Sequence, residues 1–145
     1  MTLDQPVAAY AGVFYEKGGK AEHAKDFQKA IQYYQQALFH NPKHTDSLNR
    51  LGHIYYSLGE HQKGISYFLQ TSSLVNREWK YWDAIMETGK YYMGKGDYLT
   101  AIYYLRRGIH QTKETQTFYY LMRAAQSLNN KPLYERYHSG YMGNY

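Results

Sequence analysis

Seven histidines are the residues of this chain with the clearest capacity for chemistry, since neutral imidazole is a common metal ligand. His40 and His44 are four residues apart, but an intervening proline interrupts the helix that such spacing requires. His53 and His61 fall on different predicted helices, no H-E-x-x-H motif occurs, and there is no cysteine to supply a thiolate. We therefore expect no bound metal and no cofactor.

Motifs for covalent catalysis or phosphoryl transfer are also missing from the sequence. It contains no G-x-S-x-G motif, no P-loop and no cysteine nucleophile. Two glycine-lysine stretches, residues 18–20 and 94–96, are similar to phosphate-binding loops, but no predicted strand precedes either one. Both are better explained as turns between helices. The sequence therefore predicts a protein that is not an enzyme.

The composition favours one folded domain over residues 1–145. Hydrophobic residues make up 43% of the chain, which is enough for a core, and 19 residues are tyrosine. The net charge is +5, but the basic residues are scattered and form no phosphate-binding stripe. No apolar run is long enough to span a bilayer, and the first residues do not resemble a secretory signal. We therefore expect no membrane insertion and a cytoplasmic location.

A glycine pattern recurs in three segments of the chain, residues 8–19, 48–59 and 85–96. In each segment a first glycine stands three residues before a tyrosine and seven residues before a second glycine. The first glycines of the three segments are Gly12, Gly52 and Gly89. Glycine inside a helix costs about 1 kcal/mol relative to alanine, so its recurrence in phase indicates a close approach between helices. The small residues expected opposite these glycines are Ala30, Gly64 and Ala101.

The middle segment and the helix that follows it resemble the tetratricopeptide repeat, a helix–turn–helix unit of 34 residues. The residues that carry this resemblance are Leu48, Leu51, Gly52, Tyr55, Gly64 and Phe68. The resemblance implies an all-α fold, a right-handed α-solenoid of antiparallel helix pairs. About three repeats are expected, at 5–44, 45–78 and 82–115, followed by a degenerate capping helix pair at 116–141. The first repeat fits only with about six extra residues near positions 20–25.

The same resemblance implies a binding groove, because the first helix of each tetratricopeptide repeat lines the concave face of the array. The residues expected in that groove are Tyr10, Asn49, Arg50, His53, Tyr56, Met86, Lys90, Met93, Tyr120 and Arg123. Aromatic, methionine and arginine side chains interleaved with amides suit the capture of a peptide. The expected function is a protein-interaction module that holds a peptide or partner protein as an adaptor or assembly factor.

Two other functions are compatible with the sequence. The first is a self-associating scaffold, a homo-oligomer, which the many tyrosines and the tyrosine-rich C-terminal residues 137–145 favour. The second is a helical-repeat protein that binds RNA by base stacking, supported by the net charge of +5 and the tyrosines. Nucleic acid is the least favoured partner because no basic stripe is present. Light scattering and the salt dependence of binding distinguish these functions from the adaptor.

Overall fold

The computed structural model of the chain describes residues 5–76, 79–109 and 114–143, and all regular structure in these ranges is helical. Its α-helices are α1 (Tyr10–His23), α2 (Phe27–His40), α3 (Thr45–Ser57), α4 (His61–Leu74), α5 (Trp82–Gly94), α6 (Tyr98–Leu105), α7 (Glu114–Ser127) and α8 (Lys131–Tyr141). Short 3-10 helices span Trp79–Tyr81 and Arg106–Gly108. Each odd-numbered helix packs against the helix that follows it. The predicted all-α helical-repeat class is confirmed.

The helices form two compact units, residues 1–74 with α1 to α4 and residues 75–145 with α5 to α8. In the first unit, Tyr34 of α2 and Leu51 of α3 lie in one buried apolar cluster. In the second unit, Leu105 of α6 and Leu121 of α7 belong to a second cluster that also includes residues of α8. Each unit therefore buries a core of its own.

The four helix pairs of the described ranges use the same turn. The residue two positions before each second helix has a positive φ, a conformation that glycine and asparagine adopt most easily. These residues are Lys25 (φ 65°), Gly59 (φ 87°), Gly96 (φ 76°) and Asn129 (φ 57°). In three of the turns the next residue caps the second helix, with a side-chain oxygen that accepts a backbone N–H: Asp26, Asp97 and Asn130. The shared turn makes the pairs true repeats of one local structure.

Glycines allow the two helices of a pair to approach closely, as the sequence predicts for the second and third pairs. A Cβ atom on Gly52 would lie 2.6 Å from the ring of Phe68, and one on Gly89 would lie 2.4 Å from Leu105. A Cβ on Gly64 would lie 2.9 Å from the carbonyl oxygen of Gly52. The backbones of α3 and α4 are therefore nearly in contact at these two glycines.

The predicted alignment of the first pair on Gly12 is wrong. A Cβ on Gly12 would meet nothing within 4 Å, whereas a Cβ on Gly18 would lie 2.6 Å from the ring of Tyr34. Gly18 precedes Gly52 by 34 residues, so the first repeat has the ordinary length and no extra residues. Gly12 has the motif's spacing to Tyr15, but it is Gly18 that packs closely against the second helix.

In the core of the second unit, two buried side chains donate hydrogen bonds to the same backbone carbonyl. The indole Nε1 of Trp82 donates to the carbonyl oxygen of Gly108 at 2.9 Å, and the Oγ1 of Thr117 donates to the same oxygen at 3.0 Å. One carbonyl thus joins the start of α5 to α7. The buried polar atoms of both side chains are satisfied, which removes the usual cost of placing them in a core.

Candidate partner-binding faces

In the first unit, a carboxylate on α1 and a guanidinium on α3 join the two first helices of the repeats. Arg50 Nε donates to Glu22 Oε1 at 3.1 Å, and its Nη2 donates to Glu22 Oε2. The hydroxyl of Tyr34 donates to Glu22 Oε1 at 2.7 Å, so one carboxylate accepts from three donors. We call the surrounding depression the Arg50 cleft; its lining residues are Tyr15, Gly19, Glu22, His23, Lys25, Tyr34 and Arg50.

The charges in the Arg50 cleft are fixed by these contacts. Burial on its own raises the pKa of Glu22, but the hydrogen bonds from Arg50 and Tyr34 outweigh it and hold that pKa below its usual value. Burial, followed by the hydrogen bond to Glu22, raises the pKa of Tyr34 well above its usual value. The hydrogen bond to Glu22 raises the pKa of Arg50. At neutral pH the cleft therefore presents an ion pair with a neutral phenol behind it.

Two further predicted groove residues of α3 are half-buried against α4. The ring of His53 lies edge-on to Phe68, with 5.0 Å between the ring centroids. The ring of Tyr56 stacks on His61, with a centroid distance of 4.4 Å and an interplanar angle of 28°. These aromatic contacts fix both side chains, while part of each ring is still open to solvent.

The structure places two other predicted groove residues elsewhere. Asn49 is only 7% exposed, and its Oδ1 has no hydrogen-bond partner among the described residues. Its burial leaves little of the side chain for a partner to contact. Tyr10 is 52% exposed, but it begins α1 and its ring lies edge-on to His40 of α2. Its place in the predicted groove depended on the alignment to Gly12, which the structure corrects.

The second unit also links its first helices through a cation. Lys90 of α5 pairs with Glu87 at 3.0 Å, and its Nζ lies 5.7 Å from the ring centroid of Tyr120 of α7. On α7, Arg123 Nη1 donates to the hydroxyl of Tyr119 at 3.1 Å. Lys90, Tyr120 and Arg123 therefore present cationic and aromatic groups from the first helices of this unit.

The two methionines of the predicted groove have different positions. Met86 is 2% exposed and belongs to the core cluster, where its sulfur lies 3.5 Å from Thr117 Oγ1. Met93 is half-buried and packs against the same cluster, as does Tyr120. Met86 is thus a core residue, and Met93 has a part of its surface exposed.

Glu22, Tyr15 and Tyr34 are residues of the Arg50 cleft that the sequence reasoning missed. The alignment on Gly12 assigned the wrong residues of α1 to the groove. The 34-residue spacing from Gly18 to Gly52 is the signal that identifies the correct ones, and the equal spacing of Ala30 and Gly64 supports it. With that alignment, Glu22 of α1 corresponds to Tyr56 of α3.

Neither a metal-binding cluster nor a membrane-spanning helix occurs in the described part of the chain. No group of three or more histidine, aspartate or glutamate side chains there is arranged to hold a metal ion. None of the helices in these ranges combines the length and the apolar character required to cross a bilayer.

Part of the chain matches a known protein family. The family described as tetratricopeptide repeat matches residues 45–71, which comprise α3 and most of α4. No curated protein matches the sequence. The matched residues include Gly52, Gly64 and Phe68, the three that form the close contact between α3 and α4.

Comparison with solved structures gives matches over most of the chain. A crystal structure of MamA protein has a TM-score of 0.65 at 19% identity and covers 92% of this chain and 72% of that one. A second crystal structure of MamA has a TM-score of 0.61 at 20% identity, with coverage of 88% and 73%. PilF of Pseudomonas aeruginosa has a TM-score of 0.63 at 17% identity; the match covers 88% of this chain and 57% of that one. At these identities the likeness shows a shared helical-repeat fold.

Proposed function

We propose that this chain is a tetratricopeptide repeat protein that binds an extended segment of a partner protein at the Arg50 cleft and serves as an adaptor or assembly factor. The proposal rests on the ion pair between Arg50 and Glu22, which spans two consecutive first helices at the protein surface. An ordered cation at this position can fix the direction and register of a bound chain.

The Arg50 guanidinium has hydrogen-bond capacity left for a partner. A guanidinium carries five N–H donors, and the described contacts to Glu22 use Nε and Nη2. The side chain is 36% exposed, so Nη1 can donate to a backbone carbonyl of a bound peptide. Tyr15 and His23 beside it offer aromatic surface for apolar side chains of the same peptide. The cleft thus offers both a directional hydrogen-bond donor and apolar contact surface to a bound peptide.

The second unit supports the same function with its own residues. Lys90 and Tyr120 place a cation against an aromatic ring, and Met93 adds a partly exposed apolar side chain. Rigid aromatic groups beside a flexible thioether are typical of surfaces that accept peptides. We propose that this face makes additional contacts to a partner.

The test is a quantitative pull-down from a source lysate with the wild-type chain and the double variant Arg50→Ala/Tyr56→Ala. The variant should lose specific partners while its helical circular dichroism is unchanged. The matched control is Arg107→Ala/Tyr103→Ala, which removes the same two residue types from α6 and the 3-10 helix after it. Partners captured equally by the wild-type chain and the Arg50/Tyr56 variant would show that binding occurs elsewhere.

A further inference from the structure

A second cleft lies in the C-terminal unit, between the 3-10 helix that follows α6 and the pair α7–α8. Its walls include Ile109 and Leu133, which are both partly buried, and its floor includes the buried rings of Phe118 and Tyr137. Gly140 of α8 leaves room for the Phe118 ring, because a Cβ at this position would lie only 2.4 Å from that ring. The interior of the cleft is therefore apolar and closely packed at its base.

Two arginines line the rim of this cleft. Arg106 and Arg136 are both exposed, and within the described ranges neither has a carboxylate at ion-pair distance. Burial raises the pKa of Tyr137, and the positive charges of both arginines act in the opposite direction, so both lie near the phenol. The cleft thus combines an apolar interior with two cations that have no counter-ion among the described residues.

We propose that the Arg106/Arg136 cleft binds an acidic peptide segment that carries a bulky aliphatic side chain. The aliphatic group would pack against Ile109 and Leu133, and flanking carboxylates would pair with the arginines. A guanidinium matches a carboxylate with two parallel hydrogen bonds, and the chain's net charge of +5 attracts acidic ligands. The aromatic rings of the floor are buried, so they present no open face for base stacking, which favours a peptide over RNA.

This site is separate from the proposed partner face. It is built from α7, α8 and the residues that follow α6, and it shares no residue with the Arg50 cleft. A peptide that binds here therefore needs neither Arg50 nor Tyr56, and the two proposals can be tested independently.

The test is fluorescence anisotropy of a labelled synthetic peptide with a central leucine and glutamates on both sides. Wild-type chain should bind it, and the variant Arg106→Gln/Arg136→Gln should bind it about tenfold more weakly or not at all. The matched control Lys20→Gln/Lys29→Gln removes the same charge from the first unit and should bind like wild type. A peptide with glutamines in place of the glutamates, or with a central alanine, should bind more weakly than the probe. Added salt should weaken binding of the probe.

Several results would overturn the proposal. They are no binding to the wild-type chain, equal binding to the arginine variant, or loss of binding in the Arg50→Ala/Tyr56→Ala variant. Stronger binding of a uridine oligonucleotide through the same arginines would assign the cleft to RNA. Sedimentation that shows a wild-type dimer and a monomeric Arg106/Arg136 variant would assign it to a second copy of this chain.

Discussion

At the scale of single residues, the carboxylate of Glu22 is held by hydrogen bonds from two side chains of the first unit. It accepts from Arg50 and Tyr34 and is largely withdrawn from water, with 17% of its side chain exposed. This setting favours the ionised form of the carboxylate, because protonation removes the negative charge that pairs with Arg50 and converts one acceptor oxygen into a donor. The same group therefore contributes to stability and to the electrostatic character of the cleft.

Replacing Glu22 by glutamine should lower the free energy of unfolding by about 1 kcal/mol at pH 7, a value reduced for the exposure of Arg50. The pKa of Glu22 is lower in the folded chain than in the unfolded one. Its contribution is therefore present above the unfolded pKa of about 4.3 and is lost as the pH falls through the folded pKa. Urea unfolding at pH 7 and pH 3 measures both effects.

The matched control for this experiment is Glu16→Gln, a change at an exposed residue of the same helix. Glu16 makes no ion pair within the described ranges, so its substitution should leave stability nearly unchanged at both pH values. Equal stability loss in the two variants, or a Glu22→Gln effect that persists undiminished at pH 3, would contradict the assigned role of the carboxylate.

At the scale of helices, small residues at fixed positions determine how the two members of a pair meet. Gly18 faces Tyr34 and Gly52 faces Phe68, so an aromatic side chain of the second helix rests on a glycine of the first in both pairs of the first unit. In the third pair, the side chain of Leu105 packs on Gly89 in the same way. The glycine is needed because the ring or branched side chain occupies the space where a Cβ would stand.

Substitutions at Gly12 and Gly18 of α1 should therefore have opposite effects. Gly18→Ala should destabilise the chain by about 1–3 kcal/mol, since the new Cβ would displace a ring that is buried and bonded to Glu22. Gly12→Ala should stabilise it by up to about 0.5–1 kcal/mol, because the position is helical and open. Chemical unfolding of both variants measures the difference. Equal changes of the same sign would contradict the alignment on Gly18.

The turn residue Lys25 offers a second test at this scale. Its φ of 65° is costly for a side chain with a Cβ, and the equivalent positions in the next two turns are glycine. Lys25→Gly should raise the free energy of unfolding by about 0.5–1 kcal/mol after the entropy cost of glycine is subtracted. Lys20→Gly, in the regular part of α1, should instead lower it. Thermal unfolding of both variants shows whether stability rises in the first and falls in the second.

The helix pairs could be predicted from the sequence, but the residues of the binding surface could not. Gly52, Gly64 and Phe68 carry a local pattern whose packing the structure reproduces. The groove residues depended on the alignment of each repeat, and one error at Gly12 placed Tyr10 in the groove and left Glu22 out. Burial also depends on contacts between repeats. The sequence alone therefore does not distinguish Met86, which belongs to the core, from Arg50, which is only partly buried.

At the scale of the whole molecule, the chain consists of two units that each have a core. Leu51 is fully buried in the first and Leu105 in the second. In repeat proteins stability is approximately a sum of contributions from repeats and from the contacts of neighbouring repeats. A defect in one core should therefore act most strongly on the helices that surround it.

Leu105→Ala should destabilise the second unit by about 2–5 kcal/mol, the usual cost of a cavity at a buried leucine. Hydrogen–deuterium exchange followed by mass spectrometry should show faster exchange in α5 to α8 and a smaller change in α1 to α4. Leu51→Ala should give the reverse distribution. Uniform loss of protection throughout the chain in both variants would show that the eight helices unfold as one cooperative system.

The buried indole of Trp82 has a practical consequence for such measurements. Both tryptophans of the chain, Trp79 and Trp82, fall in residues 75–145, and the first 74 residues contain only tyrosine and phenylalanine as aromatic chromophores besides histidine. Trp82 emits from inside a core and donates to Gly108, so its emission should shift to longer wavelength when water reaches it. Tryptophan emission excited at the red edge of the absorption band thus reports the melting of one unit alone, without any attached dye.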